Sequence, residues 1–280
     1  MDILDLKRRL ENFLIEDIGN GDITSEAIFS RDQQASAQFV ARESFIAAGL
    51  ESIMVQLFLL CNQDMEGRGV KDGTRVEPGD VIFTVQGPVI DLLRAERVGL
   101  NLAQRLSGIA THTNSFVRRV EDLPVKIVDT RKTTPGLRGL EKYAVRVGGG
   151  GNHRFNLTDG ILIKDNHITA CGSISRAVQL LREKAPHTFK VEVEAESLDQ
   201  VSECLEAGVD IIMLDNMDIP NMEKAVELTA GKALLEASGG VTLDNVRAIA
   251  ETGVDLISVG GLTHSAPNCD ISMRITSSLV

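Results

Sequence analysis

The chain has 280 residues, 43% of them hydrophobic, and 29 Lys and Arg against 40 Asp and Glu, for a formal net charge of −11. That length and composition bury a large core, as one large domain or two of moderate size. The acidic balance argues against a nucleic-acid surface, which makes a whole domain basic. No apolar run reaches the roughly 18 residues a membrane helix needs.

At the N-terminus, MDILDLKRRLENFLIED mixes charges into its apolar pattern and lacks the core of a signal peptide, so a cytoplasmic protein is expected. DITSEAIF and ASAQFVARESFIAAGLE lead into a helix at about 50–61. There SIMVQLFLLC is too short to span a bilayer and contains Gln56, so it reads as a buried helix. VKDGTRVEPGDVIFTVQGPVIDLLRAER reads as short β segments broken at Asp72-Gly73 and Pro78-Gly79. A biotin or lipoate carrier has this composition, but it needs a lysine at the hairpin tip. Lys71 precedes the turn, so the passage reads as scaffold. A long amphipathic stretch at 91–120 follows, which puts a domain junction near 105–115. Cys61, Cys171, Cys204 and Cys269 show neither disulfide nor zinc spacing and read as ordinary thiols of a reducing compartment.

From about residue 125 the chain falls into a strand-then-helix rhythm. VKIVDT (125–130), GILIKDN (160–166), KVEVEA (190–195), DIIMLDN (210–216), ALLEAS (233–238) and LISVGG (256–261) are short apolar runs of strand type. Amphipathic helices SISRAVQLLREK, SLDQVSECLEA, NMEKAVELTA and LDNVRAIAET lie between the later ones. Ser173, Ser197 and Thr242 are placed as N-caps, and Gly208, Gly231 and Gly253 as the residues that end helices. Parallel strands with helical crossovers imply an α/β sheet covered on its outer face. Six strands in series without a dinucleotide fingerprint favour a barrel, an incomplete one included, over a doubly wound sheet.

Residues 131–167 carry seven Lys and Arg against three acids, a local charge near +4 that leaves −15 on the rest. An acidic chain that concentrates positive charge this way is building a pocket for a small anion. The strands finish in Asp129-Thr130-Arg131-Lys132, Lys164-Asp165-Asn166, Glu194, Asp215-Asn216, Glu236-Ala237-Ser238 and Gly260-Gly261. Polar groups at the C-terminal ends of barrel strands converge on one mouth, where barrel enzymes place their active sites. Ser238-Gly239-Gly240 and Gly260-Gly261 follow the last two strands, the position at which barrels bind phosphate through backbone N–H groups.

These residues resemble the quinolinate phosphoribosyltransferase family. The resemblance runs from EDIGNGDIT at 16–24 to DISM at 270–273. It includes ARE at 41–43, AERVGLNLAQRLSGIAT at 95–111, DTRKTTPGLR at 129–138 and EKYAVRVGGGGNHR at 141–154. LIKDNH at 162–167, VEVE at 191–194, MLDN at 213–216, EASGG at 236–240 and SVGGLTHS at 258–265 complete it. Departures are small: Val147 where a cysteine is common before the glycine run, Ile46 after ARE, and Gly261 where alanine is common. The resemblance implies an incomplete parallel α/β barrel at 111–265. It also implies an N-terminal α/β sandwich domain at 1–110, joined by C-terminal residues 266–280. It implies a homodimer or higher homo-oligomer whose active site is completed by the partner; with the charge and apolar pattern above, no nucleic-acid or membrane partner is expected.

The implied reaction joins quinolinate to 5-phosphoribosyl 1-diphosphate with Mg²⁺, giving nicotinate mononucleotide, diphosphate and carbon dioxide. By the same resemblance Arg131, Arg154 and Lys164 line the quinolinate pocket with His153, Lys132 and Arg97, and Arg42 reaches in from the partner subunit. Lys132, Lys164, Glu194 and Asp215 are the expected catalytic set. Planar Arg suits a planar dianion, since it pairs bidentately with carboxylates. Glu194 and Asp215 match the family's acidic pair at the ribose and the metal, which they hold indirectly or through substrate. Ser238, Gly239, Gly240, Gly260 and Gly261 fall to the phosphate. Three readings compete: the molybdenum-operon paralogue of the family, a nicotinate-using phosphoribosyltransferase, and a non-catalytic sugar-phosphate sensor.

Overall fold

A computed structural model describes residues 2–279, which divide into two compact units. The first unit comprises the chain up to Asn114, Thr134–Gly149 and the segment from Ser265 onward. It opens with α1 (Ile3–Ile18), capped by the Asp2 carboxylate, which accepts from the N–H groups of Leu4 and Asp5. Leu6, Leu10 and Leu14 recur at the helical period and are buried. There follow α2 (Ile23–Ile28), β1 (Gln34–Ala41), β2 (Phe45–Ile46), α3 (Ile53–Cys61), β3 (Glu66–Gly69), β4 (Arg75–Val76) and β5 (Val81–Pro88). The long helix α4 (Val89–Arg119) ends in the second unit, so the junction expected near 105–115 lies inside a continuous helix.

An antiparallel sheet of order β12-β1-β5-β3 carries this unit, with β12 (Ile271–Leu279) supplied by the end of the chain. Phe39, Phe58 and Phe83 meet with ring centroids 5.5–6.0 Å apart, so the sheet and the buried helix α3 share one aromatic core.

Residues 134–149, expected in the barrel domain, belong instead to the first unit, through α5 (Arg138–Val147). Two features account for this correction. Glu141, fully buried, accepts from Arg105 Nε (3.2 Å) and Nη2 (2.9 Å) of α4, and from the N–H (3.0 Å) and hydroxyl (2.9 Å) of Thr134. Gly148, the first of the glycine run, packs so closely on α4 that a Cβ there would sit 2.4 Å from the Ala110 carbonyl oxygen.

The second unit holds β6 (Lys126–Val128), β7 (Ile161–Ile163), α6 (Asp165–Cys171), α7 (Ile174–Arg182), β8 (Val191–Ala195) and α8 (Leu198–Glu206). It continues with β9 (Ile211–Asp215), α9 (Ile219–Thr229), β10 (Leu234–Ser238), α10 (Val246–Glu251), β11 (Leu256–Ser258) and α11 (Gly261–His264). All six strands fall where the apolar runs place them. They form one parallel sheet of order β6-β11-β10-β9-β8-β7. Neighbours follow chain order from β7 to β11 and then return to β6, the winding of an α/β barrel left open between β6 and β7. At that opening Gly151 bridges Val128 in parallel, so the segment after the glycine run lies along β6.

Ser173 and Ser197 cap α7 and α8 by accepting the N–H groups of Arg176 and Gln200. Gly208, Gly231 and Gly253 take the left-handed backbone expected of them. Thr242 is no cap: α10 starts later, and the Asn245 side chain accepts the Thr242 N–H (2.7 Å) in the preceding turn. Among the described residues no helix is long and apolar enough to cross a membrane.

Glu141→Ala leaves the Arg105 guanidinium and the Thr134 N–H without their buried acceptor. Stability is expected to fall by about 3 kcal/mol, and less in Glu141→Gln, whose amide oxygen still accepts. Urea titration of both variants measures this, and an unchanged midpoint in Glu141→Ala would show that the network does not hold α5.

Candidate active site

Strand alternation decides which side chains face the mouth of the sheet. Glu194 is paired with Met213, and Asp215 with Ser238, so Glu194, Asp215 and Ser238 share one face. Leu162 is paired with Glu192, so Lys164, directly after β7, continues onto that same face. Lys164 Nζ forms an ion pair with Glu194 Oε1 on the neighbouring strand. The Asp215 carboxylate has no side-chain partner among the described residues.

The cations come from the ends of β6 and β7 and from the segment along β6. Arg154 donates through Nη1 to the Gly160 carbonyl (2.9 Å), while its buried Nε has no hydrogen-bond partner among the described residues. Burial first, and then the charge of Arg131, hold the Arg154 guanidinium below its ordinary pKa. Glu192 and Glu194 act in the opposite direction. A second cation acting on Arg154 favours an anion at this site. The backbone of Lys132 is fixed by buried Thr263, whose hydroxyl donates to the Lys132 carbonyl (2.8 Å) and lies 3.2 Å from that of Gly260.

His153 is held from three sides. Asp129, fully buried, accepts the His153 N–H (2.9 Å) and the Asn152 side-chain amide (2.6 Å). Ring atom Nδ1 accepts the Arg154 N–H at 2.8 Å. Ring atom Nε2 lies 3.1 Å from Glu192 Oε2 and 3.7 Å from Glu236 Oε1.

After β10, Gly239 has φ +94°, and a Cβ there would sit 2.1 Å from Asn216 Oδ1, so only glycine fits. The N–H groups of Gly239, Gly240 and Gly260 meet no acceptor among the described residues. Ser238 and Gly261 flank them. This is a cradle of backbone donors able to take phosphate oxygens.

Arg131, Lys132, His153, Arg154, Lys164, Glu194, Asp215, Ser238, Gly239, Gly240, Gly260 and Gly261 thus all lie in the second unit. Arg42 and Arg97 lie in the first and are exposed, and Arg42 Nε donates to Ser272 Oγ at 2.8 Å. No cysteine is a credible nucleophile in the core, since burial pushes Cys204 and Cys269 up to about 12.

Reading strand ends alone misses Glu192 and gives Glu236 no separate role; the two are 5% and 2% exposed. Each stands two residues before a mouth residue, Glu194 or Ser238, and therefore on the same face one step deeper. A polar side chain repeated at period two, Glu192 and Glu194 in VEVE and Glu236 and Ser238 in LLEAS, was the available signal. His153, Glu192 and Glu236 bring one nitrogen and two carboxylate oxygens within 4.8 Å of one another. For a hard, water-rich cation, the oxygen donors Glu194 and Asp215 at the mouth are the better match.

Burial, and then the charge of Glu192, push the Glu236 carboxyl up to about 7, against the opposing pull of His153 and Ser258. Between the ordinary carboxylate range and that value, the folded chain keeps a proton that the unfolded chain has released. The contribution of Glu236 to stability therefore falls as pH rises through this window. Glu236→Gln is expected to gain stability relative to the parent between roughly pH 5 and pH 7. Urea midpoints measured across that range test it, and a pH-independent difference would mean that Glu236 is ionised throughout.

Two family models match the chain: the quinolinate phosphoribosyl transferase N-terminal domain over residues 22–107 and the C-terminal domain over residues 109–274. The chain is 50% identical over 279 residues to a Bacillus subtilis protein named as a probable nicotinate-nucleotide pyrophosphorylase [carboxylating], covering 99% of this chain and 96% of that one. It is 42% identical over 268 residues to the Mycobacterium leprae nicotinate-nucleotide pyrophosphorylase [carboxylating], covering 94% of each. The crystal structure of NadC from Streptococcus pyogenes superposes with a TM-score of 0.95 at 42% identity, covering 100% of this chain and 99% of that one. Matched by both domain models and by a relative 50% identical along nearly its whole length, this chain belongs to the quinolinate phosphoribosyltransferase family.

Proposed function

We propose that this chain transfers the phosphoribosyl group of 5-phosphoribosyl 1-diphosphate to quinolinate, with decarboxylation, giving nicotinate mononucleotide, carbon dioxide and diphosphate in NAD biosynthesis. One observation carries the reading at the level of chemistry. Arg131, Arg154 and Lys164 gather at one mouth, where Arg154 keeps a buried, unpartnered Nε, and a planar dianion matches that demand. A pyridine with a single carboxylate leaves one of these cations unpaired, at a cost of a few kcal/mol. That difference favours quinolinate over nicotinate.

The ribose needs the opposite charge. As diphosphate departs, the sugar acquires oxocarbenium character, which a nearby carboxylate stabilises. Asp215, whose carboxylate has no side-chain partner, suits that task, and Glu194 beside Lys164 supports it. The N–H groups of Gly239, Gly240 and Gly260, with the Ser238 hydroxyl, hold the 5-phosphate. Glu194 and Asp215 are oxygen donors on one face, which fits Mg²⁺ held by carboxylate, water and substrate phosphate. Magnesium bound there supplies charge neutralisation for the diphosphate.

Arg42 and Arg97, exposed in the first unit, complete the quinolinate pocket in our reading, Arg42 from the partner of a homodimer. A cytoplasmic setting suits four free cysteines.

The deciding experiment incubates the protein with quinolinate, 5-phosphoribosyl 1-diphosphate and Mg²⁺ and measures carbon dioxide and diphosphate together. Equal yields are expected, with no turnover of nicotinate. Diphosphate without carbon dioxide would overturn the choice of substrate.

In the same assay Arg131→Lys keeps the charge but loses the planar fork, and quinolinate binding should weaken by roughly 1–3 kcal/mol. Asp215→Asn should leave quinolinate affinity intact while turnover drops on the order of 10²–10³. Normal turnover in Asp215→Asn would remove the carboxylate from the ribose. Mixed dimers of Arg42→Ala and Lys164→Ala should regain activity if Arg42 acts across the interface. No recovery despite demonstrated subunit exchange would place it elsewhere.

A further inference from the structure

His153 carries a constraint that separates it from the other residues of the mouth. The Arg154 backbone N–H can only donate, and it meets ring atom Nδ1 at 2.8 Å, so Nδ1 is the unprotonated acceptor. The ring proton then sits on Nε2, which points inward at Glu192 Oε2 (3.1 Å) and towards Glu236 Oε1 (3.7 Å). Both ring nitrogens are thereby engaged within the chain, and neither is left to meet a substrate carboxylate.

The two acids come from β8 and β10, on opposite sides of β9, and both are buried on the inner face. The pull on the ring is therefore anchored in two strands that the barrel itself holds in register. Among the described residues Glu236 Oε1 has no hydrogen-bond partner of its own, so no other bond to that atom explains its place beside the ring. On the other side, Asp129 of the β6 end takes the His153 N–H at 2.9 Å. The two peptide units on either side of His153 are thus each held through their N–H, directly before the guanidinium that meets the anion.

We propose that Glu192 and Glu236 are positioning residues that lock the His153 ring with its proton on Nε2 and thereby hold the backbone from which Arg154 reaches the substrate. The inference rests on the quinolinate-pocket reading for its effect on binding, but not for the state of the ring. His153, on this account, orders the pocket from behind and does not hydrogen-bond the substrate. The acids act on quinolinate affinity only through the ring.

The test combines ring ¹⁵N spectroscopy with steady-state kinetics on the full-length protein. The His153 signals, assigned with His153→Ala, are expected to show a single neutral tautomer with Nε2 protonated. In Glu192→Leu the lock is lost, and the ring signals should move towards tautomer averaging. The KM for quinolinate should rise roughly tenfold, while the KM for 5-phosphoribosyl 1-diphosphate and kcat stay within about twofold. Glu192→Gln keeps an acceptor oxygen and should recover most of the loss.

Because the acid works through the ring, Glu192→Leu combined with His153→Ala should be no worse for quinolinate than His153→Ala alone. Additive effects in that pair would overturn the proposal, as would an Nδ1-protonated ring in the parent protein or equal rises in both KM values. Should Glu192→Leu fail to fold, Glu192→Ala and Glu236→Ala, which remove the acceptor oxygens, carry the same spectroscopic test. An unchanged ring signal in both would then reject the role. Arg154→Ala serves as the control for the pocket: if it leaves the quinolinate KM unmoved, the pocket reading fails. The positioning claim is in that case decided by the ring spectra alone.

Discussion

Holding several cations close together, unpaired enough to attract an anion yet fixed enough to orient it, is the constraint on which the second unit depends. Arg131 and Arg154 repel, and desolvation adds to that cost. The fold offsets it with acids and carbonyls supplied by the same strand ends. Glu194 pairs with Lys164, the Gly160 carbonyl takes one arm of Arg154, and Asp129 ties down the Asn152-His153 backbone. What remains unsatisfied is a directed demand for negative charge. A parallel sheet suits this arrangement, because every strand delivers its last residues to the same edge.

The inner face carries acids at two depths. Glu194 and Asp215 stand at the mouth, half-buried, where they can meet a sugar or a hydrated cation. Glu192 and Glu236, one alternation deeper, are shut away from solvent and face only protein. On β8, two glutamates on one face thus differ in how much water reaches them.

Much of this was legible in the chain. Short β-branched runs and amphipathic stretches locate all six parallel strands and the helices between them, because period two and period 3.6 are local properties. The strand-end polar residues point to a mouth for the same reason. The glycine run was harder. Gly148 serves packing against α4, whereas Gly151 lies along β6, and nothing in four consecutive glycines tells these tasks apart. Segment 134–149 reads as part of the barrel because it sits between barrel strands in the chain. It leaves that unit through the contacts of Glu141 and Gly148 with α4, which are far away in sequence.

By itself, then, the sequence determined the strand-and-helix rhythm, the concentration of positive charge at 131–167 and the family to which those strings belong. Each of these is carried by neighbouring residues. Only the tertiary structure decided that Glu192 and Glu236 converge on His153, that Arg154 keeps a buried donor unpaired, and that Lys164 and Glu194 meet across two strands. Those outcomes depend on strand register and on burial, which the whole packed sheet sets and no short stretch of chain encodes.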